Sequence, residues 1–299
     1  MEKIKITFLG TSDSIPSKSR NHTSILLSYK NENILVDCGE GTQRQFKIAK
    51  ITPTKLTKIL ITHWHGDHIL GIPGLLQTLA MLNYNKTLNI YIPKGTRHFM
   101  ESIMRMFVFV GKIKYNIQEV EGKFIENSSF YLEAFPLKHT TRCNGYSFIE
   151  KDKLRINKEK LSRLKLPPSP LIKKLAQGQD IIFNNKKISS KSITYKQKGR
   201  KISFILDTSY SKDIIKYVEN SNLLISESTF MNKDENIAQE HKHLTTKQAA
   251  EIAKKAKVKD LVLTHISQRY EAKLKDIEKE AKRFFKNTTL AKDLQTITI

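Results

Sequence analysis

The sequence predicts an α/β fold, on three observations. Short β-branched apolar runs recur along the chain, each ending at once in polar residues. Segments with helical spacing lie between them. With 39% hydrophobic residues, 299 positions are enough to bury a sizeable core. In chain order the runs are Ile34-Leu35-Val36 before Asp37, Ile59 to Thr62 before His63, Phe135 to Lys138 before His139, Phe204-Ile205-Leu206 before Asp207, and Leu261 to Thr264 before His265. Such runs fit buried strands, and in α/β folds functional groups collect where loops leave strand ends. The five polar positions are therefore expected to converge.

Three helices are expected between the strands. Gly74 to Leu82 is apolar at helical spacing after Pro73. Thr96 to Phe109 puts Ile103, Met106 and Phe107 on one face. Thr245 opens a third, with the capping-box pattern Thr245-x-x-Gln248 ahead of Ala249, Ala250, Ile252, Ala253 and Ala256. No internal repeat or linker is visible. The longest apolar stretch, Ile69 to Leu82, is too short and too interrupted to span a membrane. The alternating strand pattern at the N-terminus leaves no room for a signal peptide. Cys38 and Cys143 are too few for a disulfide framework, so the expected setting is a reducing cytoplasm.

Charge is unevenly spread. The chain carries 52 Lys+Arg against 29 Asp+Glu, a net +23. Between Lys151 and Lys201 there are 16 Lys/Arg and 3 Asp/Glu, a net +13, so about a sixth of the chain holds more than half the excess. That asymmetry points to an anionic partner more than total charge does, with a solvated, lysine-rich excursion as the alternative reading. Within this segment Leu154 to Leu166 is a candidate charged amphipathic helix, stopped by Pro167-Pro168-Ser169-Pro170, and a second short helix precedes Gly178.

The strongest local signal is His63-Trp64-His65-Gly66-Asp67-His68, directly after a strand. From an extended segment His63 and His65 point the same way, and after the turn at Gly66 the side chains of Asp67 and His68 project differently. Four donors split by a turn suit a two-metal centre better than one tetrahedral ion. Nitrogen and oxygen donors without thiolate suit zinc and leave Mn2+ or Fe2+ open. His22, His98 and His241 are expected to be surface or half-buried side chains, Cys38 a small buried residue, and Trp64 packing. Gly39-Glu40-Gly41 lacks the third glycine of a dinucleotide loop, and neither a P-loop nor G-x-S-x-G occurs, so no nucleotide cofactor is expected.

The six-residue motif resembles that of the metallo-β-lactamase superfamily, and the remaining motifs resemble the ribonuclease Z family of tRNA 3′-processing endonucleases. They are Val36-Asp37-Cys38-Gly39-Glu40-Gly41-Thr42-Gln43; Pro16-Ser17-Lys18-Ser19-Arg20-Asn21; His139 ahead of Gly145-Tyr146; Asp207-Thr208; Ser226-Glu227-Ser228-Thr229-Phe230; Glu240-x-x-His243-Leu244-Thr245; and Thr264-His265-Ile266-Ser267-Gln268-Arg269-Tyr270. Leu206 stands where Gly is common and Leu244 where a small residue is usual. Pro167-Pro168-Ser169-Pro170 and Gln177-Gly178-Gln179-Asp180 resemble that family's arm, with Ser169 replacing Gly.

The resemblance implies a four-layer αββα metallo-β-lactamase fold, a single domain over residues 1–299 with a protruding basic arm inserted at about 151–195. It implies one Zn2+ on His63, His65 and His139, a second on Asp67, His68 and His265, and Asp207 bridging them. Asp67 would also orient the attacking water. His243 would protonate the departing 3′ oxygen, with Glu240 orienting its ring. Arg20, Asn21 and Arg269 would lie near the acceptor end of a precursor tRNA, and Lys173 and Lys174 on the arm would bind its backbone. The family further implies a cytoplasmic homodimer in which one subunit's arm holds tRNA for the other's metals. Two other readings remain open at this point: a hydrolase of small phosphodiesters or esters, which needs no basic arm, and an RNA-binding protein with an inactive metal site.

Overall fold

The computed structural model describes residues 2–109, 112–164 and 166–299. The apolar runs become strands of two seven-stranded sheets. One sheet runs, edge to edge, Thr296–Thr298, Ile4–Gly10, Ser24–Tyr29, Glu32–Val36, Lys58–Leu60, Thr87–Pro93 and Lys114–Val120. The other runs Thr288–Leu290, Asp260–Thr264, Leu223–Glu227, Lys201–Ile205, Arg142–Glu150, Phe130–Lys138 and Gly122–Glu126.

Both faces of the central strands are covered, which is why their runs are apolar throughout, whereas the edge strands Lys114–Val120 and Gly122–Glu126 are largely exposed. In Ser24–Tyr29, Leu26 joins a core with Phe46, Leu75 and Leu79 from the helices Thr42–Ile48 and Ile72–Met81. Its neighbours Ile25, Leu27 and Tyr29 point the opposite way, where Tyr29 meets Phe148 of the second sheet edge-on at 5.2 Å. In the second sheet Leu224, Leu261 and Leu263 pack with Ala249, Ile252 and Ala253 of the helix Thr246–Lys255 and with Ile277 and Ala281 of Leu274–Phe284. Leu223, Ile225 and Val262 alternate onto its other face, also buried. The order of layers is helix, sheet, sheet, helix. This is the expected four-layer αββα arrangement, and the helices at 72–81, 97–106 and 246–255 fall where periodicity placed them.

The sheets bring the site together through their parallel strands. Val36 pairs with Leu60, Ile205 with Ser226, and Glu227 with Thr264. Parallel pairing puts C-terminal ends side by side, so the residues following those strands leave the sheets at one edge.

The chain divides into two compact units. Ile149–Arg200 together with Glu126–Tyr131 forms the smaller one, and the two sheets form the larger. The basic insertion thus has its own small core of Leu166, Leu175, Ile181, Ile188 and Ile193. Its expected first helix is shorter than the pattern suggested. Lys153–Ile156 is a strand paired antiparallel with Thr194–Gln197, and the helix spans Lys158–Arg163. Asn157 starts it by accepting a hydrogen bond from the Lys160 amide at 3.1 Å. Within this unit Arg200 and Glu150 form a buried ion pair at 2.8 Å, while Lys158, Lys160, Lys173, Lys174, Lys186, Lys187, Lys191, Lys196 and Lys198 are exposed.

The capping box at Thr245 is formed in both directions, Thr245 Oγ1 accepting from the Gln248 amide and Gln248 Oε1 from the Thr245 amide. Thr245→Ala should therefore cost about 1 kcal/mol of stability. Combined with Gln248→Ala it should cost clearly less than the sum of the two single losses, as measured by denaturant unfolding.

Candidate active site

Five imidazoles and two carboxylates meet at the shared strand edge, and each imidazole is turned by a partner on its outer side. His63 Nδ1 lies 3.0 Å from Thr62 Oγ1. That hydroxyl gives its proton to Asp37 Oδ2 at 2.6 Å, so it accepts from His63. His68 Nδ1 donates to the same Asp37 oxygen at 2.7 Å. His139 Nδ1 donates to the Lys242 carbonyl at 3.0 Å. His265 Nδ1 lies 2.8 Å from Thr229 Oγ1, which itself donates to Glu227 Oε2 at 2.6 Å. His65 is reversed, its Nε2 3.2 Å from Thr140 Oγ1 and its Nδ1 inward. A neutral imidazole carries one N–H and one lone pair. With each outer nitrogen donating, all five lone pairs point into the same space.

They are crowded there. His68 Nε2 and His265 Nε2 are 3.2 Å apart, His63 Nε2 and His65 Nδ1 3.1 Å, and His139 Nε2 and His65 Nδ1 3.2 Å. Asp207 reaches both groups, with Oδ2 3.6 Å from His63 and Oδ1 3.1 Å from His265. Asp207 Oδ1 is buried and has no hydrogen-bond donor. Converging lone pairs around an unsatisfied buried carboxylate oxygen call for positive charge between them, which a metal ion supplies. Two donor sets meet this need: His63, His65, His139 and Asp207, and Asp67, His68, Asp207 and His265. In each set the ligand atoms lie within 4.8 Å of one another.

The backbone is bent to make this possible. Asp37, Asp207 and His265 all have positive φ, at 57°, 24° and 55°. This region costs a non-glycine residue on the order of 1–3 kcal/mol. Gly39 is required for another reason, since a Cβ there would sit 2.3 Å from the Asp67 carbonyl oxygen. From the second sheet Tyr146 Oη donates to the Ile61 carbonyl at 2.7 Å and the Asn144 amide to the Thr62 carbonyl at 2.9 Å, fastening the start of the histidine motif.

Electrostatics divide the ring. Burial, with His68 nearby, holds the His63 pKa well below its ordinary value, and burial also lowers His65 and His139. These three stay neutral and available as donors. Burial acts the same way on His68 and His265, but Asp207 and Asp67 outweigh it and raise both. That end of the site demands positive charge.

Relatives match this chain over nearly its whole length. Ribonuclease Z of Methanothermobacter thermautotrophicus is 40% identical over 298 residues, 99% of this chain and 97% of that one. Ribonuclease Z of Nanoarchaeum equitans is 38% identical over 91% of this chain and 86% of its own. The chain belongs to the ribonuclease Z family. The crystal structure of the short form of human tRNase Z, ELAC1, superposes with a TM-score of 0.70 at 28% identity over 98% of both chains. A family model described as Anti-Pycsar protein Apyc1 matches residues 4–192 and ends before Asp207; a model of the beta-lactamase superfamily domain matches residues 160–266. The ribonuclease Z relatives span every donor.

Two positions that the family resemblance assigned are held differently here. Glu240 ends the exposed helix Glu235–Glu240, and His243 instead meets Glu227, its Nδ1 3.1 Å from both carboxylate oxygens. The Glu240 side chain is exposed, whereas Glu227 is fully buried at the end of the strand Leu223–Glu227. Glu227 also accepts from the Thr208 amide at 2.6 Å, tying His243, His265 and the residue after Asp207 to one buried carboxylate. Arg20, expected near substrate, is buried, donating to Thr11 Oγ1 at 2.8 Å and to the Ala291 carbonyl at 3.0 Å. Asn21 is half-buried with Nδ2 on the Glu40 carbonyl, and Arg269 is exposed with its guanidinium 5.2 Å from the centre of the Phe230 ring. His22 is buried, its Nε2 3.2 Å from the Ser14 carbonyl, because the loop over 12–15 folds across it. Asp293 was not singled out by its sequence. It receives Thr11 Oγ1 at 2.6 Å and the Asn21 amide at 2.7 Å, contacts across some 280 residues that leave no local signal.

Burial lowers the His243 pKa, but Glu227 and Asp207 overcome it and push it up to about 9. A group that must be protonated to act loses activity as pH rises through its pKa. Glu227→Gln removes the charge that raises it, so the alkaline limb of kcat should move to lower pH, with kcat falling about 10- to 100-fold. Glu240→Gln should stay within about twofold of wild type. Paired pH–rate profiles check both.

Proposed function

We propose that this chain is a metal-dependent endoribonuclease that removes the 3′ trailer from precursor tRNA, leaving a 3′-hydroxyl on the tRNA and a 5′-phosphate on the trailer. The observation that carries the reading is the convergence of five imidazole lone pairs and two carboxylates in a chain 40% identical to a ribonuclease Z. His63, His65 and His139 would hold one Zn2+ and Asp67, His68 and His265 the other, with Asp207 within reach of both donor sets. Bound there, two such cations supply a water of pKa lowered to about 7 and offset the charge of the scissile phosphate.

The protein's own groups do the rest. Asp67 is placed beside both donor sets with its side chain 10% exposed, in reach of the attacking water. Against the opposing pull of burial, His68 and His265 hold its pKa far below the carboxylate range, so it is ionised and able to orient that water. His243 has Nδ1 fixed on Glu227, which leaves Nε2–H for the departing 3′ oxygen. Asp37 and Glu227 act outside the ring, keeping the histidines in one tautomer.

The smaller unit supplies affinity. Its exposed lysines, Lys173 and Lys174 among them, neutralise phosphates without reading bases, as shape recognition of a folded RNA requires. A homodimer accounts for the exposed apolar side chains of Ile48, Met81 and Leu82 beside a groove of about 750 Å3 that reaches Phe46 and Ile51. The cytoplasm, where the substrate is made and where Cys38 and Cys143 stay reduced, is the proposed location.

Incubating the purified protein with one unmodified precursor tRNA should give a single cut at the 3′ end, abolished by chelator and restored by Zn2+; a chelator-insensitive cut contradicts the reading. His65→Ala and Asp207→Ala should abolish cleavage and lower bound zinc, and full turnover with full metal content in either would refute the donor assignment. Replacing residues 151–195 by a short turn should weaken precursor binding at least about tenfold. Turnover of bis(p-nitrophenyl) phosphate should survive that deletion. Equal loss of both would make the insertion a structural element instead.

A further inference from the structure

The loop from Asp13 to Arg20 supplies no donor to the site, yet it is fastened at two places to the segment that carries His265. At its root, Ser12 bridges to Ile266, the residue after His265, and the Ile266 amide donates to the Thr11 carbonyl at 3.2 Å. Asp293 locks the same root through Thr11 and Asn21, and also takes Gln45 Nε2 at 3.0 Å. At its tip the loop turns on itself, the Ser17 amide donating to the Arg20 carbonyl at 2.9 Å. There Ser17 Oγ and Ser19 Oγ both donate to one oxygen of Glu271, at 2.8 and 2.7 Å. Glu271 lies in the short 3-10 helix Gln268–Lys273, six residues beyond His265.

What the loop displays between these fastenings is suited to a nucleotide. Ile15 is 51% exposed and Lys18 is exposed. An apolar side chain and an ammonium group on a loop rooted beside His265 can meet a base or sugar and a phosphate. Their positions depend on the tip being held. The root is set by buried groups, whereas the tip is tied to the body of the protein through the two serine hydroxyls. Glu271 itself would repel RNA as a bare carboxylate, but Ser17 and Ser19 occupy the oxygen that faces the loop.

We propose that Glu271 is a positioning residue for the RNA substrate: by holding Ser17 and Ser19 it keeps the 13–20 loop, with its exposed Ile15 and Lys18, against the His265 segment in the form that RNA meets. The inference rests on the RNA-cleaving reading above. It predicts a split between KM and kcat that a general loss of structure does not give.

The test is steady-state cleavage of one precursor tRNA by the zinc-loaded, full-length protein. Glu271→Ala should raise KM about tenfold while kcat stays within about twofold. Glu271→Gln, whose carbonyl oxygen still accepts both hydroxyls, should restore KM to within about twofold of wild type. The double variant Ser17→Ala/Ser19→Ala should raise KM by the same factor as Glu271→Ala, and combining the two should add nothing further, since they break one contact. An unchanged KM in Glu271→Ala overturns the inference. So do additive effects, or a fall in kcat accompanied by a lower melting midpoint, which would mark a merely structural role. Cleavage by the wild-type protein with an unaffected variant defeats this inference alone; absence of cleavage by the wild type removes the RNA reading and this inference with it.

Discussion

The site depends on what lies behind its histidines. An imidazole can present either nitrogen, and five of them brought to one edge would adopt whatever tautomers their neighbours allow. Here the neighbours leave no choice. Asp37 takes the His68 proton directly and the His63 proton through Thr62, while Glu227 takes the His265 proton through Thr229. Two fully buried carboxylates, one at the end of a strand in each sheet, set the direction of three lone pairs. Burying two carboxylates is costly, and each is compensated by several charge-assisted hydrogen bonds.

The four-layer fold is what makes such a shell possible. Parallel strands from both sheets end at one edge, and the sheets touch through Tyr29 and Phe148, so groups from opposite halves of the sequence meet at hydrogen-bond distance. The left-handed backbone at Asp37, Asp207 and His265 turns side chains inward immediately after the strand. Strain of this kind persists only where the surroundings over-determine it. The capped helix from Thr245 and the bonds from Tyr146 and Asn144 belong to those surroundings.

Much of this was legible in the chain itself, and the reasons are local. Strands buried on both faces read as uninterrupted apolar runs, so the ends at Val36, Leu60 and Thr264 were visible and with them Asp37, His63 and His265. The Thr245 cap was legible because a capping box is a spacing of four residues. Legibility failed where the partner is distant in sequence. His243 is three residues from Glu240, which the family resemblance paired with it, but its ring meets Glu227, sixteen residues away on another element. Arg20 meets the Ala291 carbonyl and shares Thr11 Oγ1 with Asp293, both near the other end of the chain, which no local pattern announces. In the basic insertion, charge periodicity over 154–166 concealed a strand, because pairing of Lys153–Ile156 with Thr194–Gln197 bridges some forty residues.

The central claim is that the outer hydrogen bonds dictate which nitrogen of each imidazole faces the cations. Anomalous scattering at the zinc edge from crystals of the zinc-loaded protein tests it most directly. Two peaks are predicted, with His63, His68, His139 and His265 bound through Nε2, His65 through Nδ1, each at about 2.0–2.1 Å, and Asp207 between the ions. A single peak, or His68 bound through the nitrogen that now faces Asp37, would contradict the account.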